Sequence, residues 1–196
     1  MEMPTLIDVI RKLHLYGFAT SHCGKTVRRW MFDQMYTSGK WNPDDKSPEL
    51  ISAVEDYCSR GAILILGCGN ASILKHLNRG TFDYVLGIDI SPEAISRASS
   101  HADDRVHFQV GDFREYQCLR KFDVILFAES LYYLRPIERE TTLKRFCSEL
   151  TPNGCIIVTV INPKGYRDII QMIKNSFKVI KEAYFEETDR FLIVFR

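Results

Sequence analysis

Residues 62–74 read AILILGCGNASIL. A run of branched apolar residues ends in Gly67-Cys68-Gly69, and a segment of helical spacing follows at once. An uninterrupted apolar run suits a strand buried on both faces. Glycines let the backbone turn sharply and approach a ligand closely, and the start of a helix offers free N–H groups. The stretch therefore predicts a strand, a tight turn and a helix near Ser72–Asn78, closed by Gly80.

The same alternation continues downstream. Tyr84–Ile90 predicts a second strand, followed by a helix with Ser91 as cap, Pro92 at its first position and Ala94, Ile95 and Ala98 on its inner face. Arg105–Val110 and Phe122–Phe127 predict two more strands, the latter leading into a helix from about Pro136 to Leu150. After the turn TPNG come a strand over Cys155–Val160 and a helix over about Lys164–Asn175. Strands alternating with helices imply parallel crossovers and a sheet covered on both faces. Phe177–Glu187 and Arg190–Arg196, split by a tight turn, read as a terminal hairpin, so one strand must run antiparallel.

Upstream the reading is helical. Leu6, Val9, Ile10 and Leu13 share one helical face, as do Val27, Trp30, Met31 and Met35 in a second segment. A third helix has Ser47 as cap, Pro48 at its first position, an apolar face of Leu50, Ile51, Val54, Tyr57 and Cys58, and Gly61 as terminator. The polar stretch TSGKWNPDDKS between the last two is a loop. The expected organisation is an N-terminal helical lid over residues 1–45 and one compact unit over 46–196.

Composition narrows the function classes. The 196 residues are 45% hydrophobic and 26% charged, with a net charge of +1, so no whole-protein field favours nucleic acid or an anionic membrane. No two of the six cysteines have C-x-x-C spacing, which predicts free thiols in a reducing compartment and no structural zinc. The N-terminus lacks a signal-peptide pattern, and no apolar run approaches the ~20 residues of a membrane span. A cytoplasmic protein with neither nucleic-acid nor membrane partners is expected.

Ligands of open α/β sheets bind beyond the carboxyl ends of the strands. Asp89 ends the second strand, twenty positions after Gly69, where a carboxylate can accept from both ribose hydroxyls of an adenosine. Ser91 already fills the cap role that would otherwise explain an acid there. Asp112 follows the third strand in VGDFREY, placed to accept from an adenine amine, with the Phe113 backbone beside the ring. Gly-x-Gly, Asp and Asp at three consecutive strand ends point to an adenosyl ligand.

The series ILGCGNA, GIDIS, VGDF, FDVILFAESLYYL and PNGCIIVTV, closing in a hairpin, resembles the class I S-adenosylmethionine-dependent methyltransferases over about residues 50–196. AESLYYL and the aromatic FDQMYTSGKW make it similar to the nodulation N-methyltransferase type. The resemblance implies a single Rossmann-like, doubly wound, mostly parallel seven-stranded sheet. S-Adenosyl-L-methionine would be the cofactor, S-adenosyl-L-homocysteine the product, and a small-molecule N, O or S nucleophile the acceptor. Gly67, Cys68 and Gly69 would pass under the methionyl part, Asp89 hold the ribose, Ile90 pack on adenine, and Asp112 with Phe113 bind its edge. Ala128 and Glu129 would lie nearest the methyl group, and Tyr36 and Trp41 of the lid would cover the sulfonium by cation–π contact. Ile65 stands where the family has an acid, and Ala71 where it has a third glycine.

Methyl transfer needs alignment more than covalent chemistry. Glu129 is the candidate base or orienting group, with Tyr132 and Tyr133 beside it, one facing the cleft and the other the core. Arg28 and Arg29 could reach a carboxylate, but on that helix a solvated face is expected of them. Two other readings remain. A nicotinamide-dependent oxidoreductase would require glycine at Ser72, and a non-catalytic binding or scaffold protein is compatible with Ile65 and Ala71. The Asn/Asp-Pro-Pro-aromatic motif of amino-directed DNA methyltransferases is replaced here by AESL, and no Glu/His cluster marks a metal-dependent RNA enzyme.

Overall fold

A computed structural model describes residues 22–38 and 47–196. The apolar runs become strands β1 (Gly61–Leu66), β2 (Phe82–Asp89), β3 (Val106–Val110), β4 (Phe122–Ala128), β5 (Leu150–Ile161), β6 (Val179–Phe185) and β7 (Arg190–Phe195). They form one seven-stranded sheet in the order β3-β2-β1-β4-β5-β7-β6. The first five are parallel, and β7 runs antiparallel between β5 and β6. The chain leaves β1 in one direction for β2 and β3 and returns to its other side for β4. That reversal opens a crevice beyond the carboxyl ends of β1 and β4.

Among the described residues, five helices flank the sheet: α1 (Lys25–Thr37), α2 (Pro48–Tyr57), α3 (Pro92–Ala98), α4 (Pro136–Cys147) and α5 (Arg167–Ser176). Alternation within β1 divides the core. Ile63 and Ile65 pack with Leu50 and Val54 of α2 and Ile95 of α3. Leu64 and Leu66 pack with Leu143 and Phe146 of α4 and with Ile169 and Ile173 of α5. Each such side chain contributes roughly 1.5–3 kcal/mol by leaving water. Ser47 and Ser91 cap α2 and α3, accepting from the Leu50 and Ala94 amides, each cap being worth about 1 kcal/mol.

Several local expectations are corrected. Ser72–Asn78 is not an α-helix. A single 3-10 turn covers Ser72–Lys75, and the chain then bends at Asn78, whose side chain and carbonyl accept from the Gly80 and Thr81 amides. The helix before β1 stops at Tyr57, Arg60 takes the left-handed conformation at φ 53°, and Gly61 opens the strand rather than ending the helix. Residues 151–154 are extended within β5, where the register against β4 shifts between Phe122 and Val124. The helix expected over Leu6–Leu13, Trp41 and most of the expected polar loop lie outside the described residues.

The buried face of α1 is Arg28, Met31, Met35 and Tyr36, while Val27 and Trp30 are exposed. The reason is polar. Arg28 is drawn inward to Asp112, Asp33 Oδ1 accepts from Ser91 Oγ at 2.7 Å and from the Glu93 amide at 3.0 Å, and Arg97 donates to the Tyr36 carbonyl at 2.6 Å. These contacts turn α1 so that apolar periodicity alone misplaces its inner face. Arg28 leaves the solvated face expected of it; Arg29 stays exposed. Among the described residues, no helix is long and apolar enough to cross a membrane.

Candidate active site

The crevice holds a cavity of about 320 Å³, at the lower end of the roughly 300–1,000 Å³ of small-molecule sites. Its floor is the glycine turn. Gly67 and Cys68 donate to the Ile88 carbonyl at 2.8 and 3.0 Å, tying the turn to β2. Gly67 and Gly69 have φ of 72° and 55°. A Cβ on Gly67 would lie 2.7 Å from Ser130 Cβ, and one on Gly69 would lie 2.5 Å from the Tyr36 hydroxyl. Both glycines are therefore required by conformation and by close approach. Ala71 takes the left-handed conformation at φ 53°, ψ 33°, which costs an L-residue roughly 1–2 kcal/mol.

Asp89, at the end of β2, bridges two segments. Its Oδ2 accepts from the Gly69 amide and its Oδ1 from the Ser91 amide, both at 2.9 Å. Burial pushes its carboxyl up to about 6. The amides of Ser91, Gly69 and Ile90 oppose that rise, and the nearby Asp33 charge adds to it. Asp112, past β3, accepts from Arg28 Nη2 at 2.7 Å on Oδ2, and from the Arg114 amide and Nε at 3.1 and 3.3 Å on Oδ1. Ile90 and Phe113 line the same end, and Phe113 meets the core ring of Phe127 edge-on.

The opposite end is built around Glu129. It follows β4 at φ 53° and is pinned there twice. Its amide donates to Thr159 Oγ1 at 3.3 Å, and its Oε2 accepts from the Ile161 amide at 2.6 Å. Arg190 Nε stands 3.2 Å from Oε1, the two side chains being 12% and 17% exposed. Left-handed backbone of this kind concentrates at functional sites. Tyr132 and Tyr133 both line the cavity, so neither is confined to the core. Tyr132 stacks on Tyr166 at 4.7 Å, Tyr133 meets Phe32 edge-on at 4.9 Å, and the Tyr132 and Tyr133 hydroxyls are hydrogen-bonded to one another. Burial pushes both hydroxyls above the ordinary tyrosine range, so both stay protonated at neutral pH.

Of the thirteen residues singled out in the sequence, twelve line this one cavity, among them Tyr36, Cys68 and Ala128; Trp41 lies outside the described residues. Ile65 also lines it, with no acid in its place. Arg28, Phe32, Arg114, Ser130 and Arg190 are additions. Arg190 carries no signal in the sequence, because only the antiparallel register that pairs it with Ile161 brings it to the cavity. Among the described residues, no group of three or more His, Cys, Asp or Glu is arranged to hold a metal ion.

A sheet in this order, with the glycine turn, Asp89 and Asp112 at successive strand ends, is the architecture of the class I methyltransferases. Residues 59–191 match the family described as a methyltransferase domain, and the chain belongs to that family. It is 29% identical over 137 residues to carboxy-S-adenosyl-L-methionine synthase of Wolinella succinogenes, covering 66% of this chain and 56% of the relative. The chain spans between about half and two thirds of the length of the first curated relatives it matches. Its fold is that of the N-methyltransferase NodS from Bradyrhizobium japonicum, solved with S-adenosylhomocysteine, at a TM-score of 0.67 and 19% identity over 84% of this chain and 97% of NodS. The 1,6-didemethyltoxoflavin N1-methyltransferase of Burkholderia thailandensis, solved with that substrate and S-adenosylhomocysteine, aligns at 0.72 and 16% identity over 87% of each chain.

Proposed function

We propose that this protein is an S-adenosylmethionine-dependent methyltransferase acting on a small-molecule N, O or S nucleophile. The observation that carries the reading is the convergence of the Gly67–Gly69 turn, Asp89, Asp112 and Glu129 on one cavity. The two neighbours solved with S-adenosylhomocysteine, and a relative named for a derivative of the same cofactor, support it. The residues fit such a ligand. The turn is a cradle that a Cβ would fill, and Asp89 keeps lone-pair capacity beyond its backbone bonds.

Gly67, Cys68 and Gly69 would hold the methionyl part, Asp89 the ribose, Ile90 the adenine face, and Asp112 with Phe113 its edge. When bound, S-adenosylmethionine supplies an electrophilic methyl group on a sulfur that leaves neutral. The chain's own task is alignment, which contributes roughly 7–11 kcal/mol when the reacting atoms are held about 3–3.5 Å apart. Glu129 is the carboxylate at the end nearest Ala128. It orients the hydrogen on the acceptor atom and then takes its proton, with Arg190 and the Ile161 amide fixing its rotamer. Tyr132 and Tyr133, neutral and ring-packed, wall the acceptor, and α1 closes over the site as the lid of a domain spanning 46–196.

Calorimetric titration with S-adenosylhomocysteine, with NAD⁺ in parallel and both repeated on Asp89→Ala, tests the reading. Binding of the first ligand, lost in the variant, is the expected result and directs a screen of amine, hydroxyl and thiol acceptors. Silence at millimolar ligand would favour a non-catalytic scaffold, and binding of NAD⁺ alone would favour an oxidoreductase.

A further inference from the structure

We propose that the Glu129–Arg190 ion pair selects the methyl acceptor, a small zwitterion whose amine is the nucleophile and whose carboxylate lies one or two carbons away. This rests on the methyltransferase reading above and names the acceptor that reading leaves open. The pair stands at the carboxyl end of the parallel strands, Glu129 following β4 and Arg190 opening β7, and both side chains line the cavity. Arg190 Nε and Glu129 Oε1 are buried against one another at 3.2 Å. A ligand would therefore meet the Nη groups and Oε2, the oxygen beside Ile161, which is 43% exposed.

The backbone does not depend on this pair. Register with β5 fixes Arg190, and Thr159 Oγ1 and the Ile161 amide fix Glu129. Taking two charges out of water costs about as much as their attraction returns, so such a pair stabilises a fold little compared with apolar side chains of the same size. The other charges around the cavity are matched at its opposite end. Arg28 and Arg114 face Asp112, and Asp89 accepts from backbone amides. Among the described residues, Glu129 and Arg190 are thus the charges placed to meet an acceptor, since the neighbouring tyrosine hydroxyls stay neutral.

Charge matching narrows what can bind against them. An amine without a carboxylate brings an ammonium toward the Arg190 guanidinium, and a carboxylate without an amine meets Glu129. Either leaves a like-charge contact in a site shielded from water. A neutral acceptor strips water from both side chains and returns no charge to either. A zwitterion laid antiparallel along the pair puts its ammonium on Oε2 and its carboxylate on the Nη fork, the bidentate arrangement a guanidinium favours. Glu129 then takes one proton from the ammonium. The freed nitrogen lone pair forms the N–C bond as the C–S bond breaks with its electrons remaining on sulfur, and Glu129 passes its proton to water as the N-methyl product leaves.

The experiment is calorimetric titration, first with S-adenosylhomocysteine and then, on the saturated protein, with glycine against methylamine and acetate and with β-alanine against ethylamine and propionate. At least one amino acid should bind about 10- to 100-fold more tightly than either of its one-charge controls, the worth of a charge-assisted bond. With S-adenosylmethionine it should yield its N-methyl derivative. Arg190→Met, and Arg190→Met combined with Glu129→Gln to remove the stranded carboxylate, should bring the amino acid and its amine control to similar affinity. Thermal unfolding establishes that each variant is folded, and the wild-type ratios decide the proposal without them. A saturated wild type that binds neither amino acid, binds a one-charge control equally well, or binds an amino acid without methylating it would overturn the proposal and leave the cofactor assignment standing. So would a preference unchanged in a folded Arg190 variant. Failure to bind S-adenosylhomocysteine removes that assignment, and the proposal with it.

Discussion

Asp89 Oδ2 accepts from the Gly69 amide at 2.9 Å, so the acid at the end of β2 holds the turn that follows β1. In the proposed function, ribose recognition and the shape of the methionyl cradle would thereby be joined through one carboxylate.

That carboxylate gives the site a pH dependence whose sign can be worked out. Burial raises Asp89 from about 3.8 to about 6. The folded chain thus holds a proton that the unfolded chain has released, and this stabilisation is complete below 3.8 and lost as pH rises through 6. Ligand hydroxyls donating to Asp89 favour the charged form, so binding runs the other way. S-Adenosylhomocysteine affinity should climb by up to about tenfold per pH unit below 6 and flatten above 7. Calorimetry across pH 5–8 checks this, and Asp89→Asn should remove the slope. A slope that persists in the variant assigns it to another group.

Gly69 and Tyr36 should behave as a pair. Gly69→Ala places a Cβ 2.5 Å from the Tyr36 hydroxyl and 3.6 Å from its Cζ. The single substitution should lower ligand affinity by about tenfold or more and destabilise the fold by about 1–3 kcal/mol, through overpacking and left-handed strain. Gly69→Ala with Tyr36→Phe removes the clashing oxygen and should recover part of both losses. Additive effects in denaturant titrations would show that the two residues do not press on one another.

The ion pair of Glu129 and Arg190 should be visible in a double-mutant cycle. Arg190→Met leaves a largely buried carboxylate without its guanidinium and should cost about 3 kcal/mol in urea unfolding. Adding Glu129→Gln should restore more than about 1 kcal/mol of that, as expected for groups in contact. S-Adenosylhomocysteine binding should change little if, as proposed, the pair lies at the acceptor end. A large affinity loss in Glu129→Gln would place that residue on the cofactor instead.

Asp123 offers the opposite dissection. At the start of β4 its Oδ2 accepts from the Ala62 amide at 2.8 Å and its Oδ1 from the Thr151 hydroxyl at 2.9 Å. It therefore ties β1, β4 and β5 at the edge away from the cavity. Asp123→Ala should cost about 1.5–3 kcal/mol of stability and leave ligand affinity intact. Loss of binding in a folded variant would contradict the separation of the two ends of the sheet.

Much of this was legible in the chain. Both Ser-Pro caps form as read, the strand runs fall where the apolar runs are, and the terminal hairpin supplies the antiparallel strand. Local patterns encode these features. The errors have two causes, one local and one long-range. The spacing of Ser72–Asn78 suits a helix, but left-handed Ala71 and the bend at Asn78 leave room for only one 3-10 turn. Arg28 looks solvated because no local pattern records a partner 84 residues away. Arg190 enters the site only through the hairpin register. Charged groups recruited over long range leave no periodicity behind.

Asp33 has one more consequence. The first turn of α3 is completed by two oxygens, Ser91 Oγ from its own cap and Asp33 Oδ1 from α1, the latter receiving the Glu93 amide. A secondary-structure element within the family's span is thus finished by a residue outside it. Any displacement of α1 returns that amide to solvent, so its deuterium uptake becomes a clock for the position of α1. Slow exchange at Glu93 that quickens in Asp33→Ala would let the covering of the cavity be timed in the absence of any acceptor.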